Sequence, residues 1–103
     1  MPPADDNNSA AERAFINDMD VAKMYFSEKN YRGAELRFRD AALRQPDNPE
    51  ATFRLAESLD HRHKNEEARV FYRDFLPLQT NGPHADLARK RLQHLEQAPG
   101  GRR

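Results

Sequence analysis

One helix-packing pattern occurs twice in this chain at a spacing of 34 residues, and few features restrict a fold as tightly. Tyr31-Arg32-Gly33-Ala34 followed by Phe38-Arg39-Asp40-Ala41 lies over Asn65-Glu66-Glu67-Ala68 followed by Tyr72-Arg73-Asp74-Phe75. The same shift carries Val21-Ala22 onto Leu55-Ala56, and Pro49-Glu50-Ala51 onto Pro83-His84-Ala85. Self-similarity at this length marks a stacked array of helical units, so the expected fold class is all-α: an alpha-alpha superhelix of helical hairpins with about five helices.

Local signals place those helices. Residues 1–8 hold proline, acids and asparagine without an apolar anchor, and read as a disordered lead-in. Ser9-Ala10-Ala11-Glu12 has the form of a capping box, so the first helix is expected from Ser9 to about Lys29, with Phe15, Met19, Ala22 and Phe26 at helical spacing. Val21, Met24 and Tyr25 form a second apolar strip on it. After a turn at Asn30, Tyr31 to Arg44 make the second helix, with Ala34, Phe38, Ala41 and Ala42 inward, and Pro46-Asp47-Asn48-Pro49 stops it. A third helix spans Glu50 to about His63, and a fourth, capped by Asn65, spans Glu66 to about Leu76, where Pro77 ends it. A fifth runs from His84 to about Glu96 with Leu87, Leu92 and Leu95 inward, and residues 98–103 read as a flexible tail.

Composition narrows the function classes. The 103 residues are enough for one domain, expected over 9–97. Seventeen basic and 17 acidic residues balance, so no global field draws the chain to nucleic acid or to a membrane surface. The balance is uneven along the chain: Asp5, Asp6, Glu12, Asp18 and Asp20 face Arg13 alone at the start, whereas Arg89, Lys90, Arg91, Arg102 and Arg103 outnumber Asp86 and Glu96 at the end. The absence of cysteine excludes disulfides and thiolate chemistry. With no signal peptide or long apolar run in the sequence, cytoplasm is the default location.

The repeated unit resembles the tetratricopeptide repeat, a helix-turn-helix of W-x2-L-G-x2-Y, then A-x3-F, then P. In the first copy, about residues 15–48, Val21, Ala22 and Tyr25 stand for the leucine, glycine and tyrosine, Ala34 and Phe38 fill the second motif, and Pro46 closes it. In the second, about 49–82, Leu55, Ala56 and Leu59 take the first triplet, Ala68 and Tyr72 the second, and Thr80 replaces the proline. Both tryptophan positions are polar, Asp18 and Thr52. Residues 83–97 match the capping helix that ends such arrays. Small residues let antiparallel helices approach, so Ala22 with Ala34 and Ala56 with Ala68 are expected close pairs.

The resemblance implies a non-enzymatic protein-protein interaction module that binds a peptide or partner segment in a groove lined by the first helices of successive units. The residues it places there are Met19, Lys23 and Phe26, then Phe53, Arg54, Glu57 and Asp60, then Leu87 and Arg91. Met19, Phe26 and Phe53 have a second reading as core, because a helical apolar stripe serves packing as readily as binding. The carboxylate clamp of chaperone-binding members is not matched: the corresponding residues are Met19, Lys23, Arg54, His84 and Ala88. Two units and a cap fall short of the three that usually suffice, which makes end-to-end self-association, a weak homo-oligomer, the alternative.

No motif for catalysis or for a cofactor occurs, and no metal site is expected. His61 and His63 sit two apart, so on a helix they point to nearly opposite sides and could chelate only where the turn unwinds. Arg89-Lys90-Arg91 and Arg102-Arg103 do not make a nucleic-acid motif in a chain without net charge.

Overall fold

The computed structural model describes residues 3–97, which form five α-helices and no strand. These are α1 (Pro3–Ser27), α2 (Tyr31–Arg44), α3 (Pro49–His61), α4 (Asn65–Phe75) and α5 (Pro83–Glu96). The all-helical class and the number of helices are as expected; the tail at 98–103 and residues 1–2 of the lead-in lie outside the described residues.

Most boundaries fall within one or two residues of the sequence reading, and the starts of α1 and α4 change what caps them. The first helix begins at Pro3, not Ser9, so residues 3–8 are helical and the Ser9–Glu12 box lies inside α1 instead of capping it. Proline suits a first helical position, because its φ is already helical and it has no amide to leave unpaired. In addition, α4 begins at Asn65 itself, with Lys64 as its N-cap and no side-chain cap bond. The starts of α2 and α3 carry side-chain caps, Asn30 Oδ1 accepting from the Gly33 amide at 2.9 Å and Asn48 Oδ1 from the Ala51 amide at 3.1 Å, whereas α5 follows Gly82 without one. Two residues before Pro77, α4 stops at Phe75.

The 34-residue shift holds in the backbone as well as in the sequence. Lys29 and His63, related by it, are left-handed with φ of 63° and 62°. The amides of Asn30 and Lys64 then donate five residues back, to Tyr25 and Leu59 carbonyls at 2.8 and 2.9 Å, and those of Lys29 and His63 donate to Phe26 and Asp60 at 2.9 Å each. This is the Schellman closure of a helix, made twice. The cap backbones also agree, at φ −88°, ψ 79° for Asn30 and φ −88°, ψ 72° for Lys64. Two helix-turn-helix units, α1–α2 and α3–α4, thus share one turn geometry.

Each helix packs chiefly on its chain neighbours, and the odd-numbered helices also touch one another. Lys23 of α1 pairs with Glu50 of α3 at 3.1 Å, and Phe26 meets His61 edge to face at 5.4 Å. Between α3 and α5, Phe53 stacks on His84 at 4.2 Å. On the even-numbered side, Arg39 of α2 reaches Glu67 and lies over the Phe71 ring of α4. The core between the two sets includes Phe15, Met19, Phe38, Phe53, Leu55, Leu59, Tyr72 and Phe75. Ala22, Ala34, Ala56 and Ala68 are all completely buried, as close helix approach requires.

Buried charges tie the helices in register. Asp18, at one of the two polar positions noted above, accepts from Arg37 Nη1 at 2.9 Å and Arg44 Nε at 2.8 Å, joining α1 to α2. The other, Thr52, donates to the Asn48 carbonyl at 3.1 Å and so settles within its own helix start. Glu35 of α2 accepts from Arg39 at 2.8 Å and from Arg62 just beyond α3, with Lys64 Nζ 3.7 Å away. Gly33 is held small by contact: a Cβ there would meet the Tyr25 ring at 2.9 Å.

Candidate functional site

Asp60, one residue before the end of α3, gathers side chains from two later helices. Its carboxylate accepts from Tyr72 Oη of α4 at 2.9 Å and from Arg91 Nε and Nη2 of α5 at 2.7 and 2.8 Å. The paired donation from a planar guanidinium is the strong, orienting form of this contact. Burial, then the charge and hydrogen bond of Asp60, push the Tyr72 hydroxyl far above its ordinary pKa, so it stays a donor. Hydrogen bonding to Asp60 likewise holds Arg91 above its ordinary value, against the opposing effect of burial.

Beside this knot, α3, the α3–α4 turn and α5 enclose a cleft of about 560 Å³. Glu57, Asp60, Tyr72 and Arg91 line it together with Leu87 and Leu95, and three imidazoles, His61, His63 and His94, and the Asn65 amide complete its wall. The charged groups are already committed: Asp60 to Tyr72 and Arg91, and Glu57 to Arg54 Nη1 at 2.9 Å. The imidazoles and the Asn65 side chain make no hydrogen bond among the described residues, so they are the polar groups left to address a ligand. Leu87, 39% exposed, supplies apolar surface among them.

The nine expected groove residues separate into three sets. Met19 (4% exposed) and Phe53 (1%) are core, because each faces the neighbouring helices instead of the surface; their assignment to the groove is corrected. Glu57, Asp60, Leu87 and Arg91 come together in the cleft. Lys23, Phe26 and Arg54 do not line it and sit between α1 and α3: Lys23 is paired with Glu50, and the Arg54 guanidinium, which also bonds Glu57, stands 5.9 Å over the half-buried Phe26 ring. Arg54 Nε is buried there without a partner among the described residues.

The histidines, Asn65, Tyr72 and Leu95 were not expected in the site. For α5 a signal was present, since Leu87, Arg91, His94 and Leu95 fall on one helical face. The turn at His61–His63 does unwind, with α3 ending at His61 and His63 left-handed. Even so, no group of three potential metal ligands assembles among the described residues. No helix among them is long and apolar enough to cross a membrane.

No known protein family, curated protein or solved structure matches the chain.

Proposed function

We propose that this chain is a protein-interaction module of the tetratricopeptide type, which holds a peptide segment of a partner in the cleft between α3 and α5 and catalyses no reaction. The observation that carries this reading is the cleft itself, where four of the residues expected from the repeat register meet: Glu57, Asp60, Leu87 and Arg91. The recurrence of one turn geometry at Lys29 and His63 supports the repeat, and the repeat supplies the register. Inside the cleft the ionic groups neutralise one another, leaving leucine surface and imidazole and amide donors and acceptors. That combination suits a segment with an apolar anchor and hydrogen-bonding side chains better than a small charged metabolite. A site of this size holding one anchor corresponds to affinity of about micromolar strength, on the order of 8 kcal/mol.

Capture from native lysate followed by cross-linking tests it. Wild-type protein should retain a partner cross-linked through Lys64 or Lys90, which flank the cleft in sequence, and Leu87→Asp should lose it while keeping its helical spectrum. Equal retention by the variant, with cross-links elsewhere, refutes the assignment.

A second reading, end-to-end self-association in a cytoplasmic scaffold, draws on α1, where Ile16 and Met24 are 47% and 50% exposed. Light scattering that stays monomeric across concentration and salt removes it.

A further inference from the structure

A second concavity, of about 500 Å³, lies on the other set of helices, between α2 and α4. Its floor includes the buried Leu55, and its walls include Leu43, Phe71 and Leu78. Leu43 is 74% exposed, the most exposed large apolar residue among those described. Leu36 and Val70, which the 34-residue shift superposes, extend the apolar surface along the same two helices and are each about half exposed. An isolated exposed leucine means little, but several around one concavity mark a surface that gains by being covered.

The charges around this groove are not balanced. Both of its arginines are committed: Arg39 to Glu35 at 2.8 Å and Glu67 at 3.6 Å, and Arg73 to Glu96 of α5. Asp47 and Asp74 also line it, are exposed, and have no ion-pair partner among the described residues. The rim therefore presents two uncompensated carboxylates beside leucine and phenylalanine surface. An extended segment would need backbone partners, yet α2 and α4 spend theirs within the helices, whereas a helix brings its own hydrogen bonds and offers only side chains.

We propose that the α2–α4 groove docks an amphipathic helix of a partner protein, its apolar face against Leu43, Phe71 and Leu78 and its lysines or arginines against Asp47 and Asp74. This surface is separate from the α3–α5 cleft and does not depend on the reading given for that cleft.

Two labelled model peptides of about 14 residues, four helical turns, serve as probes. Both carry leucine at i, i+3, i+4 and i+7; one has lysine and the other glutamate at the remaining positions. Fluorescence anisotropy at physiological salt should show saturable one-to-one binding of the leucine–lysine peptide and none of the leucine–glutamate peptide. Leu43→Ser should weaken binding roughly tenfold, as for loss of an apolar anchor. The pair Asp47→Lys and Asp74→Lys should reverse the peptide preference, and Leu87→Asp, in the other cleft, should change nothing. All these positions are at least a third exposed, so the variants retain the fold. Equal binding of both peptides, indifference to Leu43→Ser, or loss with Leu87→Asp overturns the proposal.

Discussion

Lys29 and His63 occupy left-handed backbone that glycine takes far more readily, each at the position that closes a helix. For a side chain with a Cβ this conformation costs about 1–2 kcal/mol, part of which a glycine returns to the flexibility of the unfolded chain. Lys29 is exposed, so its side chain holds little else in place. Lys29→Gly should therefore stabilise the protein by about 0.5–1 kcal/mol, read as a melting temperature several degrees higher, on the order of 4–8 °C per kcal/mol for a chain of this size. A lower midpoint would contradict the left-handed turn. At this scale the core was largely legible: Ala34, Phe38 and Ala41 recur at helical spacing and are fully buried. Met19 and Phe53 carried both readings, core and groove, because a periodic stripe tells which side of a helix is apolar but not whether its neighbour is the same chain or another, and their burial decides for the core.

Helix ends were legible where one residue type dominates the physics. Asn30, Asn48, Pro49 and Pro77 act through their own side chains or rings, so they mark boundaries directly. The start of α1 was hidden because Ser-x-x-Glu fits a helix interior as well as an end. The ties between elements were hidden for another reason: Asp18 finds Arg37 and Arg44, and Glu35 finds Arg62, only once two helices are in register. Glu35 makes this scale measurable. Burial by itself raises its pKa, but hydrogen bonds from Arg39 and Arg62 and the charges of Lys64 and Arg62 outweigh that and hold it below the ordinary value of 4.5. The folded state thus binds its proton more weakly than the unfolded state. The stability it contributes is complete above about pH 4.5 and declines as pH falls through the lowered folded value. Denaturant midpoints of Glu35→Gln and wild type should accordingly differ at pH 7 and converge below pH 4.5. A gap unchanged down to pH 3 would show that the α2–α3 tie is not ionic.

Across the whole molecule, each helix packs on its chain neighbours, so the even-numbered and odd-numbered sides share one core, and Asp60 is the point where α3, α4 and α5 meet. The repeat shift places Asp60 where the first unit has Phe26, so one unit fills with an aromatic ring what the other fills with a carboxylate. The period predicted that the positions correspond, but the partners of Asp60, which are Tyr72 and Arg91, emerge only once the helices are packed. Removing the carboxylate leaves the buried Tyr72 hydroxyl without its acceptor and Arg91 without its paired bonds, a loss of about 1–3 kcal/mol. Because α5 packs chiefly on α4 and reaches α3 through Asp60–Arg91 and Phe53–His84, the loss should be local first. In Asp60→Ala, hydrogen exchange should accelerate most in α5, less in α3 and α4, and hardly at all in α1 and α2. Tyr72→Phe in the same background should recover part of the stability, since it removes the stranded hydroxyl while keeping the ring against Phe53. Uniform acceleration over all five helices would mean that the chain opens as one unit and that Asp60 does not anchor its end.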